Sequence, residues 1–187
     1  MKNLTLNILL IFWAAVSTAG VPPTQLTETD AIRWDSSLTL PQIDGKPNIG
    51  IAGVFSGRID GKLLIAGGAN FPDRTPAANG EKKYHRDLYI YDTSQGWQII
   101  PDALPAPRAY GVSVTLPEGV LCIGGCNAEE CTNQVLLLTL DGNQPRLTPW
   151  PPLPRPLANA AGALVGHRIY VAGGIEQVKG AAATRNF

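Results

Sequence analysis

Three times along this chain an apolar run ends in a pair of glycines: KLLIAGG at 62–68, VLCIGG at 120–125 and RIYVAGG at 168–174. The pairs begin at Gly67, Gly124 and Gly173, so they recur after 57 and then 49 residues. A period near 50 means one supersecondary unit per repeat, which buries its apolar face only by stacking on its neighbours. Before each run stands a segment of small residues, at 49–55, 109–114 and 158–165. After the first two comes a further strand-like run, DLYIYD at 87–92 and VLLLTL at 135–140. A tryptophan follows each of these, Trp97 and Trp150, and Trp34 belongs to the same series upstream. Proline-rich links with an arginine come next, LPAPR at 104–108 and LPR at 153–155. Short strands divided by glycine and proline predict an antiparallel all-β unit.

Composition narrows the partners. Fifteen Lys and Arg balance fifteen Asp and Glu among 187 residues. A neutral chain lacks the basic stripe that neutralises nucleic-acid phosphates and the polybasic cluster that holds a protein on an anionic membrane. Apolar residues at 44% are enough for a packed core. At the start, Lys2, an apolar run over 4–16 and the small residues Ser17, Thr18 and Ala19 have the pattern of a secretory signal peptide. Residues 1–19 are therefore expected to be a signal peptide. The mature chain is expected outside the inner membrane, in the periplasm, with no later run long enough to span a bilayer.

That setting permits a small loop disulfide between Cys126 and Cys131. Cys122, inside VLCI, reads as a buried small hydrophobe. The two histidines, His85 and His167, have no metal-ligand spacing to the cysteines, so no metal site is expected.

The glycine pair, the Tyr-x-Tyr-Asp strand, the spaced tryptophans and the Pro-Arg link together resemble the kelch repeat over nearly the whole mature chain. That resemblance implies a β-propeller whose blades have four antiparallel strands. The innermost strand would be rich in Gly, Ala and Ser, the second buried between blades, and the tryptophans packed between blades. Counting gives blades at about 49–101 and 108–150, an incomplete one at 157–187, and a lone outer strand at about 31–40 belonging to a closing blade. Two and a half blades do not close a ring. The expectation is an N-terminal fragment of a six-bladed propeller, with residues 20–187 as its partial ring.

Longer phrases are more specific: IAGVFSG at 51–57, LIAGGANFP at 64–72, KKYHRDLY at 82–89 and PRAYGVS at 107–113. Together they resemble the kelch-repeat sialic acid mutarotases, also called N-acetylneuraminate epimerases, in their cyclically permuted branch. The resemblance implies an isomerase that interconverts the α and β anomers of N-acetylneuraminate by acid–base opening and closing of the sugar ring. It implies a positioned carboxylate, an arginine on the sugar carboxylate and no metal or organic cofactor. The family's Glu with an Arg six residues on, in a Gly-Glu-x-x-Pro-Gly-x-Arg-like stretch, is not found here. Glu118 and Glu176 lack its context, so the catalytic residues are expected beyond Phe187.

The links after each glycine pair and those entering each innermost strand should share one face, the usual ligand side. That face would carry Asn70 with the long polar insertion up to Arg86, then Arg108 and Tyr110, the 126–132 loop, and Arg155 with Asn159. Arg108 could reach the channel mouth or pack on a neighbouring blade as an ordinary link arginine. The competing functional class is a non-enzymatic kelch module that binds glycan or protein, because the fold serves many functions. Two histidines do not suit a copper oxidase, and no Ser-His-Asp context is present.

Overall fold

A computed structural model describes residues 36–43, 45–180 and 183. The chain divides into two compact units, Met1–Leu38 and Thr39–Phe187, and every strand among the described residues lies in the second. The signal-peptide span 1–19, Trp34 and the end at 184–187 lie outside the described residues. Within the expected outer strand at 31–40, residues 36–40 are described and carry no strand.

Among the described residues all regular structure is β, save one 3-10 turn at Pro76–Ala78. The first sheet has the order β1 (Phe55–Ile59), β2 (Lys62–Ala66), β5 (Leu88–Asp92), β6 (Gly96–Ile100). The second runs β7 (Val112–Leu116), β8 (Gly119–Ile123), β9 (Val135–Asp141), β10 (Gln144–Trp150). Both are four-stranded antiparallel meanders. A third hairpin pairs β11 (Ala161–Val165) with β12 (Arg168–Ala172). The first strands of the three sheets stand side by side, β1 against β7 and β7 against β11. Stacked meanders with adjacent first strands are the blades of a kelch-type β-propeller.

Packing between blades explains the apolar runs. Phe55, Leu64, Leu88 and Ile90 of the first blade meet Val120, Cys122, Leu136 and Leu138 of the second. The alternate residues Val112, Val114, Leu121 and Ile123 face Ile169 and Val171 of the third. Successive side chains of a strand point to opposite faces. β8 is therefore buried on both faces and apolar at every position. Cys122 is 0% exposed, and burial pushes its thiol up to about 12, as befits an inert core residue.

The glycine pairs behave alike in all three repeats. Gly67, Gly124 and Gly173 have φ of 64°, 61° and 73°, and Gly68, Gly125 and Gly174 have 94°, 102° and 88°. A Cβ on Gly67 would stand 2.3 Å from the Arg108 carbonyl oxygen, and one on Gly124 2.3 Å from that of Leu157. Gly68 N–H donates to the Arg108 carbonyl at 2.8 Å and Gly125 N–H to that of Leu157 at 2.7 Å. Each pair thus turns the chain out of its strand, and the first two let the next blade approach their backbone.

Three expectations need correction. The innermost strands begin later than the small-residue segments 49–55, 109–114 and 158–165, because Gly53, Tyr110 and Asn159 have φ of 64°, 62° and 55° and break the extended run. The tryptophans are not in step: Trp97 pairs with Tyr91 near a turn, whereas Trp150 pairs with Val135 at the far end of its ladder. The residue on the Trp150 rung in the first blade is Ile100, opposite Leu88. The two link arginines are not equivalent either. Leu104 N–H donates to Arg86 O and Leu153 N–H to Asn133 O; Arg108 N–H donates to His85 O and Leu157 N–H to Thr132 O. Arg108 therefore matches Leu157, and Arg155 falls where the earlier link has Ala106.

Candidate functional site at the channel mouth

The entries to the first strands form one repeated device. Ala52 exchanges both backbone hydrogen bonds with Ala69, Ala109 with Cys126, and Ala158 with Ile175. In each repeat this pair joins the segment entering the blade to the residue just after the glycine pair. Next along the chain come the left-handed residues Gly53, Tyr110 and Asn159. Tyr110 N–H donates to Gly53 O at 2.7 Å, and Asn159 N–H to Tyr110 O at 2.7 Å. These bonds run from blade to blade around the mouth. Two of the residues singled out in sequence, Tyr110 and Asn159, thus hold the same structural position. The backbone of Asn159 joins the chain of bonds and the residue is exposed.

The side chain of Tyr110 lies where Gly53 leaves room; a Cβ there would meet its ring at 2.4 Å. Its hydroxyl accepts a hydrogen bond from Lys82 Nζ at 3.1 Å. The same ammonium sits 4.9 Å from the Tyr110 ring centroid, 5.6 Å from that of Phe71 and 5.8 Å from that of Tyr84. Tyr84 meets Tyr110 edge-on, with centroids 6.4 Å apart. The hydrogen bond with Tyr110 holds the Lys82 pKa above its ordinary value, so this amine keeps its charge throughout the physiological range. Burial raises the Tyr84 hydroxyl pKa as well.

Lys82 and Tyr84 reach this place on the long insertion. Its ends pair as a short ribbon, β3 (Ala69–Asn70) against β4 (Lys83–Tyr84). Pro76–Ala78 makes its turn, closed by Asn79 at φ 57°. The ribbon bounds an open cleft of about 500 Å³, lined among others by Asp73, Glu81, Lys82, Tyr84 and Asn127. Carboxylates and lysines share its rim. Sequence reasoning flagged the insertion but passed over Lys82 and Tyr84. The available signal was the KKYH phrase at the insertion's end.

The other sequence candidates have structural partners. Asn70 donates to Gly50 O at 3.0 Å, and its Oδ1 lies 2.9 Å from His85 Nε2. It ties the ribbon to the entry segment. Burial, with Lys83 close by, lowers the His85 pKa. Arg108 is only 5% exposed, and burial lowers its pKa. Its Nη2 donates to Gln134 Oε1, and its stem packs over Gly125. Of its two readings, the inter-blade packing role fits; the guanidinium is not presented to the open mouth. Arg155 pairs with Glu176 at 3.2 Å on the surface. Glu118 sits in the β7–β8 turn, at the opposite end of the blade from the glycine pairs. His167 is exposed in the β11–β12 turn.

Cys126, Cys131 and Ala158 form a small buried cluster under Tyr84 and Tyr110. Both cysteines are free thiols in this structure.

The family model for N-acetylneuraminate epimerase matches residues 14–147. The chain belongs to the N-acetylneuraminate epimerase family. An N-acetylneuraminate epimerase of Vibrio cholerae is 38% identical over 120 residues, covering 59% of this chain and 31% of that protein. One from Yersinia pestis is 39% identical over 110 residues, covering 54% and 28%. One from Brucella melitensis is 32% identical over 123 residues, covering 60% and 31%. The match thus spans about a third of the length of these epimerases. The solved structure of YjhT aligns with a TM-score of 0.48 at 28% identity, covering 58% of this chain and 33% of that one.

Proposed function

We propose that this protein interconverts the anomers of N-acetylneuraminate, and that the Lys82 cluster grips the sugar acid at the channel mouth. The observation that carries the reading is the ammonium of Lys82, held at once by the Tyr110 hydroxyl and over three aromatic rings beside the blade-to-blade ring of bonds. A fixed cation beside aromatic faces suits a ligand that is anionic on one side and carries apolar C–H faces on the other. A sugar acid has both. Lys82 would hold the carboxylate, with the Tyr84 and Tyr110 rings against the sugar face. Anomer exchange needs a proton removed from the anomeric hydroxyl and one delivered to the ring oxygen. The Glu–Arg pair that the family resemblance implies for this step is not found in residues 1–187, and the carboxylates nearest Lys82, Asp73 and Glu81, stand at the rim of the open cleft. The leader-like start at 1–19 supports placing the reaction outside the cytoplasm.

The test is anomer exchange of N-acetylneuraminate followed by NMR with the full-length protein. The reading expects exchange well above the spontaneous rate, and an unchanged rate overturns it.

A further inference from the structure

We infer that Cys126 and Cys131 form a disulfide that locks the wall of the mouth beneath Tyr84. The pairing rests on backbone register and stands independently of the substrate reading. Cys126 and Cys131 are opposite one another in an antiparallel bridge. The flanking residues make its bonds: Thr132 N–H to Gly125 O at 2.9 Å and Asn127 N–H to Glu130 O at 3.0 Å. The cysteines are thus a non-hydrogen-bonded pair, the rung on which opposed Cα atoms come closest, about 4.5 Å apart. That lies within the disulfide range of about 4.4–6.8 Å, and both side chains leave the ladder on the same face. Cys126 also spends its own N–H and C=O on Ala109, so one end of the bridge is fixed to the blade.

The repeat shows what the bridge would do. In the first blade the residue after the glycine pair, Ala69, faces Tyr84 on the equivalent rung. There the ribbon has aromatic packing to hold it. In the second blade the same rung is Cys126 with Cys131, closing a tight loop whose turn is made by Asn127 Oδ1 accepting from the N–H groups of Glu129 and Glu130. That loop separates two clefts, the one beside Lys82 and another of about 510 Å³ that reaches Glu176 and Lys179. Its cysteines pack against Tyr84 and Tyr110. A covalent rung keeps this wall, and the tyrosines on it, from shifting.

Formation needs an oxidant, here a disulfide-bearing exchange partner. One cysteine thiolate attacks the partner's disulfide, making a mixed disulfide and releasing one partner thiolate. The second cysteine thiolate attacks the mixed disulfide at the first cysteine's sulfur, making the Cys126–Cys131 bond and releasing the second partner thiolate. The two cysteines lose two protons and two electrons, and the partner disulfide becomes two thiols. In the folded loop burial raises both thiols, Cys131 to about 11, which disfavours the thiolate that must attack.

The experiment refolds the full-length protein in oxidised glutathione, blocks free thiols and maps the peptides by mass spectrometry. The expected result is a Cys126–Cys131 crosslink with Cys122 alkylated only after denaturation. A second readout is the thermal midpoint. A reductant should lower it by a few degrees in the wild type and leave it unmoved in Cys126→Ser and Cys131→Ser. Free, alkylated Cys126 and Cys131 after oxidative refolding, a crosslink that includes Cys122, or a midpoint indifferent to reductant in the wild type would each overturn the inference.

Discussion

Arg108 and Arg155 look alike in sequence and behave differently in the fold. Each follows a proline in a link between blades, yet Arg108 is buried against Gly125 and Gln134 while Arg155 makes an exposed ion pair. Truncating Arg108 removes a nearly fully buried stem that packs between the blades over Gly125. Arg108→Ala should cost about 2–3 kcal/mol in denaturant unfolding. Arg108→Met keeps the apolar stem and removes a charge that burial disfavours, so it should cost less. Arg155→Ala should change stability by no more than about 0.5 kcal/mol. Equal losses for Arg108→Ala and Arg155→Ala would contradict the placement. His85 supplies a pH test. Its folded pKa lies below its ordinary 6.5, so the unfolded chain takes up its proton first as pH falls. The stability due to neutral His85 is present above 6.5 and is lost on acidification through the folded pKa. Thermal midpoints measured from about pH 7 to about pH 5 should fall more steeply in the wild type than in His85→Gln. The arginines show where sequence reading fails. Spacing from the prolines is visible in the chain, but the backbone bonds that align Arg108 with Leu157 are not.

At the scale of strands and turns the repeat was legible where the backbone itself demanded a residue type. The glycine pairs stood out because φ near +60° to +100° and carbonyl oxygens within bonding distance leave no room for a side chain. The inner-strand starts were misplaced because Tyr110 and Asn159 occupy the left-handed position that glycine marks only in the first blade, at Gly53. Trp97 and Trp150 misled because ladder register depends on turn length, and a residue's distance from a strand does not fix its rung. Lys82 and Tyr84 were passed over for a similar reason. Their partner Tyr110 belongs to the next blade, so nothing local in the insertion marks them. The glycine argument is testable by comparison. Gly124→Ala meets both a left-handed φ of 61° and the Leu157 carbonyl oxygen at 2.3 Å, whereas Gly166→Ala meets the same φ range, at 59°, in open space. Gly166→Ala should cost about 1–2 kcal/mol, and Gly124→Ala distinctly more in the same unfolding assay. Indistinguishable losses would mean that close approach of the next blade is not what keeps Gly124 a glycine.

At the scale of the whole molecule, two blades and a hairpin of a third present one working face. Bridges between the residues after the glycine pairs and the entries to the first strands recur in every repeat, so insertions from successive blades converge on the same mouth. The first blade contributes the cation and two aromatic rings, the second a third ring and the cysteine loop, and the third the exposed Asn159. The outer ends of the first two blades are tied separately, by Lys62 and Gln98 on the Asn143 amide, far from the mouth. Sequence phrases were enough to reach the epimerase family. They did not reveal the Lys82 cluster, which exists only when residues 71, 82, 84 and 110 come together. The most direct measurement is the kinetics of N-acetylneuraminate anomer exchange by the full-length protein carrying Lys82→Met or Lys82→Arg. Loss of a charge-assisted bond to the substrate carboxylate should raise KM about tenfold or more in Lys82→Met. kcat should fall less, and Lys82→Arg should recover most of the affinity. A KM for Lys82→Met equal to that of the wild type would contradict the assignment of the mouth cluster as the sugar-acid grip.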